Sequence, residues 1–136
     1  MNKLYLTAEE KKILERLPIE ALILFGSQAQ GTAGKLSDYD FAVLPSKHLF
    51  PEERKHLYDA LYDLLSAKIR QLVNIDIVFL PDASMELQSG AARFGIPLYE
   101  RSPHTFERFR ERVMDIYADF APLRRIFHNA ILARIS

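Results

Sequence analysis

The sequence predicts an α+β (α/β) fold with a helical C-terminal extension, and three observations predict it. Short apolar runs bounded by loop residues alternate with amphipathic helical stretches through about residue 100. From Ser102-Pro103 onward, apolar residues recur only at helical spacing. The 136 residues, 49% apolar and 26% charged, suit one soluble domain, 1–136, with a core over about 1–100 and an extension over about 101–136. A chain of this length buries about 68% of its unfolded surface.

Each element has a local reason. Thr7 followed by Glu10 forms a capping-box pattern that opens a helix through about Arg16. Ile19 to Phe25 contains Ala-Leu-Ile-Leu-Phe, a strand buried on both faces. Gly26 to Gly34 holds three of the five glycines and reads as a loop. Asp38 to Leu44 reads as a second strand. Pro51 suits the first turn of a helix whose Leu57, Leu61, Leu64, Leu65 and Ile69 share one face. Val73 to Leu80 reads as a third strand. Asp82 is placed to cap a helix that Gly95 stops, and Ile96 to Tyr99 follows as a short fourth strand. Phe106, Phe109, Val113, Ile116, Tyr117 and Phe120 then form one helical stripe, and Pro122 starts a last helix with Leu123, Ile126, Phe127, Ala130 and Ile131.

Composition excludes several classes. Lys and Arg number 18, as do Asp and Glu, so the chain is not a globally basic nucleic-acid binder. Without cysteine there is no disulfide framework, zinc-thiolate site or thiol nucleophile. No apolar run approaches the roughly 20 residues of a membrane helix. Met1-Asn2-Lys3-Leu4 enters a charged segment rather than a secretory leader, so a cytoplasmic location is expected.

Chemistry concentrates in two stretches, Leu24 to Gly31 and Ser37-Asp38-Tyr39-Asp40-Phe41. Alternation on a strand puts Asp38 and Asp40 on one face, about 6.6 Å apart. Asp76 interrupts the apolar strand Asn74 to Phe79, where an unpaired buried charge is costly. If the two strands are neighbours, carboxylates about 5 Å apart repel by roughly 3 kcal/mol per pair at an effective dielectric near 20. Protonation or a divalent cation relieves this, and carboxylate oxygens suit magnesium or manganese. Gly26-Ser27 lets the backbone approach an anion, and a helix beginning near Ser27 favours phosphate. Taken singly, these residues also fit plainer roles. Asp38 and Asp40 fit turn or cap positions beside Ser37, Asp76 fits a partner for arginine, and Ser27 fits an N-cap.

Taken together, Gly26-Ser27, then Asp38-x-Asp40, with a later strand aspartate at Asp76, resemble the DNA polymerase beta-like nucleotidyltransferase superfamily. The small size resembles its minimal nucleotidyltransferase (MNT) branch. Ile96-Pro97-Leu98-Tyr99-Glu100-Arg101, Phe109-Arg110 and Val113-Met114-Asp115-Ile116-Tyr117 are similar to the antitoxins of HEPN/MNT toxin–antitoxin pairs. The resemblance implies a nucleotidyltransferase fold, a small mixed sheet with flanking helices. It implies that Gly26 and Ser27 hold the triphosphate of ATP. It implies that Asp38, Asp40 and Asp76 bind Mg2+, with Asp76 also acting as general base. The implied activity is transfer of AMP to a tyrosine of a partner HEPN ribonuclease toxin, encoded nearby, in a hetero-oligomer. One departure is Gln30, where many relatives carry arginine; Lys35 is the candidate replacement.

Other motifs fail on spacing. Ala29 stands where a Walker loop or a Rossmann turn needs glycine. A calcium loop from Asp38 meets Ala42, Val43 and Leu49 at its required positions. His48, His56, His104 and His128 lack paired metal-ligand spacing. No Gly-x-Ser-x-Gly element is present. Two alternatives stand beside the adenylyltransferase: an antitoxin that only masks its partner, and a nucleotidyltransferase acting on a small molecule. Residues 101–136 carry seven arginines against four acids, which suits a solvated helix face or a surface that docks on an acidic or RNA-bearing partner.

Overall fold

The computed structural model describes residues 4–34, 37–70, 72–119 and 121–135. Four strands, β1 (Ile19–Phe25), β2 (Tyr39–Pro45), β3 (Ile75–Phe79) and β4 (Ile96–Glu100), form one sheet in the order β3-β2-β1-β4. β1 is antiparallel to β2 and β4, whereas β3 runs parallel to β2. A parallel pair needs a crossover, and α3 (Pro51–Ile69) supplies it. The other helices are α1 (Ala8–Glu15), α2 (Ser27–Gln30), α4 (Met85–Phe94), α5 (Thr105–Asp119) and α6 (Ala121–Ile135). The architecture is α+β with a mixed sheet, in agreement with the sequence reading.

The local signals act as expected at most ends. The Thr7 hydroxyl accepts from the Glu10 N–H at 3.1 Å, and Glu10 accepts from the Thr7 N–H at 2.8 Å. Glu10 also takes Lys68 Nζ at 2.9 Å, tying α1 to the end of α3. Burial pushes the Glu10 carboxyl up, but the bonds from the Thr7 backbone and from Lys68 outweigh it and hold the group below its ordinary value. One helix start differs. Leu80–Asp82 forms a 3₁₀ turn, and Ser84 rather than Asp82 caps α4, its hydroxyl accepting from the Leu87 N–H at 3.2 Å. Asp82 instead pairs with Arg54.

Strand alternation divides the core in two. On one side Leu22, Leu24, Phe41 and Val43 pack with Leu14 of α1 and with Leu57, Leu61 and Leu65 of α3. On the other, Ile23 and Ala42 pack with Ala91 and Ala92 of α4 and with Phe106, Phe109 and Val113 of α5. Gly95 lets α4 lie close to β1, because a Cβ there would stand 2.6 Å from Ile23 Cγ2. The stretch read as an extension therefore divides. α5 closes one face of the sheet, while among the described residues α6 adds none to either cluster. Phe120, the last residue of the predicted stripe, lies outside the described residues. Among the described residues, no helix is long and apolar enough to cross a membrane.

Candidate active site

β1 ends at Phe25, and the chain turns sharply at Gly26, with φ 74° and ψ −157°. That region of backbone space is essentially open to glycine alone. One turn of helix, α2, follows and closes at Gly31, again with φ 74°. Ser27 is thus the first helical residue and Gly26 the N-cap, with no side-chain cap bond. Gln30 N–H reaches back to Gly26 O at 3.1 Å. Among the described residues, no acceptor takes the N–H groups of Ser27, Gln28 or Ala29, and these orphan donors are what a helix start offers an anion.

The sheet brings the carboxylates to this bend. Asp40 lies opposite Phe25 in the β1–β2 ladder and opposite Asp76 in the β2–β3 ladder. Ala42 and Val78, two residues further along their strands, pack on the α4–α5 side. Asp40 and Asp76 therefore face that same side. Asp40 is half-buried, whereas Asp76 and Asp38 are exposed. Burial pushes the Asp40 carboxyl above its ordinary value, and the charges of Asp76 and then Asp38 push it further. Asp40 thus stands within reach of both other charges.

Two expectations need correction. Asp38 is not in the strand: β2 begins at Tyr39, so strand alternation does not set its direction. The chain there is held from both sides. Gln28 Nε2 donates to Ser37 O at 3.1 Å, and Tyr39 N–H donates to Asn74 O at 3.0 Å. Nor is Asp76 a buried strand acid. β3 is an edge strand, and Asp76 alternates outward between buried Ile75 and Ile77. Lys35 lies outside the described residues, and Gln30 is exposed. Gln28 and Asn74 carry positioning bonds that no motif marked.

The donor set suits a hard cation. Its oxygens are carboxylates, and among the described residues no Lys or Arg is paired with any of the three. They are not drawn into a finished centre either, since no cluster of three metal-ligating side chains stands ready among the described residues. Two cavities, of about 490 Å³ and 430 Å³, lie elsewhere. The first opens between β3 and the start of α3 at Phe79, Arg54 and Lys55, and the second lies beside α2 and β4 on the opposite face of the sheet. Asp38 and Asp76 stand exposed near the starts of β2 and β3, and half-buried Asp40 lies against Gly26.

The family described as polymerase beta, nucleotidyltransferase matches residues 9–104, which include all four strands and the five residues singled out above. The chain belongs to that family. A curated relative, the protein adenylyltransferase MntA of Aphanizomenon flos-aquae (strain 2012/KM1/D3), is 34% identical over 113 residues, covering 76% of this chain and 72% of the relative. A toxin–antitoxin crystal structure with AMP-PNP superimposes on this nucleotidyltransferase with a TM-score of 0.69 at 25% identity, covering 93% of this chain and 99% of the other. A complex of tri-AMPylated Shewanella oneidensis HEPN toxin with MNT antitoxin has a TM-score of 0.63 at 22% identity, covering 89% and 93%. This last likeness speaks for the nucleotidyltransferase fold.

Proposed function

We propose that this nucleotidyltransferase is a protein adenylyltransferase and antitoxin. In this reading it transfers AMP from ATP to a tyrosine of a HEPN-type toxin encoded nearby, works in the cytoplasm and requires magnesium. The observation that carries it is the register pairing of Asp40 with Asp76 beside Gly26. An Asp40 carboxylate pushed by the charges of Asp76 and Asp38, with no paired cation among the described residues, fits a magnesium ion held by Asp38, Asp40 and Asp76. When bound, the ion supplies positive charge that offsets the triphosphate.

The chain's own residues do the rest. The Gly26 bend and the free N–H groups of α2 receive phosphate oxygens, and the Ser27 hydroxyl adds a donor. The tyrosine oxygen attacks the α-phosphorus in line. A phosphorus–oxygen bond forms, the bond to the β-phosphate bridge breaks, and pyrophosphate leaves with the electron pair. The phenol proton passes to a carboxylate oxygen of Asp76. Most of the rate comes from positioning and charge neutralisation.

The test is incubation with ATP labelled at the α-phosphate, magnesium and the neighbouring HEPN-type protein. Label is expected on the partner, and Asp38→Ala is expected to lower transfer by about 100-fold or more. A second reading, masking without chemistry, is favoured by the neutral Gln30 and by the absence of any basic residue in α2. Neutralisation that survives Asp38→Ala would select it.

A further inference from the structure

α6 is a 15-residue helix in which every side chain described is exposed. Its apolar residues are large and periodic. Leu123, Ile126, Phe127 and Ile131 follow steps of three and four, and the last three are 64%, 61% and 56% exposed. Helices of this length are marginal in water without a packed face, and an apolar stripe left in solvent marks an interaction surface. Its charge is one-sided. α6 contains three arginines and no Asp or Glu.

Resting on the adenylyltransferase reading, we propose that α6 is the docking helix for the acceptor protein, whose matching surface is apolar at its centre and rimmed by carboxylates. Two observations choose this occupant over a second copy of the chain. Pairing α6 with itself would set arginine against arginine with no acid on either helix to offset them. The position of α6 also fits an acceptor. It continues from α5, and α5 packs on the sheet face toward which Asp40 and Asp76 point. Asp38 and Asp76 are exposed, so the carboxylates need an acceptor that brings its own walls, and α6 leaves an apolar stripe uncovered for one. Phe127 and Ile126, the most exposed apolar residues of the stripe, are the anchors.

The experiment uses the full chain and the purified HEPN-type protein encoded beside it. Binding and initial rates of AMP transfer are measured against the concentration of that protein for the parent chain, Ile126→Asp/Phe127→Asp, Phe127→Ala and Arg125→Glu. Thermal unfolding of each variant establishes that it folds. The double variant is expected to raise Kd and the KM for the acceptor at least 10-fold while the KM for ATP changes less than twofold. Arg125→Glu is expected to weaken binding most at low salt. Kd and acceptor KM within twofold of the parent in every variant would overturn the proposal. So would variants that alter only self-association, or only flotation with phosphatidylserine vesicles, and so would a parent chain that does not bind the HEPN-type protein. If the parent binds it without transferring AMP, the adenylyltransferase reading fails, and the docking role still stands or falls on Kd.

Discussion

The carboxylate of Asp40 occupies the space in which a side chain on Gly26 would begin. A Cβ built there contacts Asp40 Oδ2 and stands 3.3 Å from its Cγ. The bend and the acid are therefore one device. Gly26 has no side chain so that the middle carboxylate can lie against the turn where α2 starts.

Gly26→Ala should thus have two separable effects. The positive φ is strained for alanine, at about 1–3 kcal/mol, and the added methyl must push the Asp40 carboxyl aside. Gly31→Ala provides the comparison, because Gly31 has the same φ of 74° but nothing within 4 Å of its Cβ. Gly31→Ala should lose less stability than Gly26→Ala in denaturant titrations, because ψ is 16° at Gly31, ordinary left-handed backbone, against −157° at Gly26. Only Gly26→Ala should also lose AMP transfer, by about 100-fold or more. Equal activity losses would mean that strain alone, and not the Asp40 position, matters at the bend.

Asp40→Asn should stabilise the nucleotide-free protein while abolishing transfer. Burial, then Asp76 and Asp38, raise the Asp40 carboxyl above its ordinary 3.8, so the folded state binds that proton more tightly than the unfolded chain. The associated stability is fully present below 3.8 and is lost as pH rises through the raised value. At neutral pH in EDTA, Asn removes the strained charge, and Tm should rise by roughly 2–4 °C. The gain should shrink as pH falls toward 4. A Tm difference that does not change with pH would remove the charge explanation.

The strands and the bend were legible because periodicity and glycine act locally. Ala-Leu-Ile-Leu-Phe stopped by Gly26 needs no knowledge of partners to read as a strand and a turn. The long-range bonds were not legible. Arg101, counted in the sequence as one more charge of a basic surface, donates to Glu15 O at 3.1 Å, to Leu17 O, and to Ile19 O at 3.0 Å, and so clamps the end of β4 to the turn before β1. Gln28 likewise holds Ser37. Side-chain bonds to distant carbonyls leave no period in the sequence. Asp76 looked like a buried acid because its neighbours are apolar. Its exposure follows from the edge position of β3, and the strand order is invisible locally.

Tyr99→Phe should stabilise the fold. Tyr99 is 5% exposed, and its hydroxyl is buried without a hydrogen-bond partner among the described residues. Burial also raises its pKa. An unsatisfied buried hydroxyl costs about 1–3 kcal/mol, and phenylalanine keeps the ring that packs with the α1–α3 cluster. The urea midpoint should rise with an unchanged slope. A lower midpoint would show that the hydroxyl has a partner in solution.

Metal and nucleotide should act together rather than singly. Asp76 and Asp38 repel Asp40, yet both are exposed, so water screens part of the repulsion. No finished three-ligand cluster exists among the described residues. Magnesium binds protein sites through one or two carboxylates plus substrate phosphates, so the triphosphate completes what the acids leave open. Millimolar magnesium alone should move Tm by less than about 1 °C, and ATP in EDTA should do little more. Saturation with both should add about 2.7 kcal/mol at 100 times Kd, raising Tm by roughly 5 °C or more. Asp76→Asn should abolish the joint shift while leaving the ligand-free Tm near that of the parent, because its carboxylate is exposed. A full shift from magnesium alone would mean that the acids already form a closed centre without nucleotide.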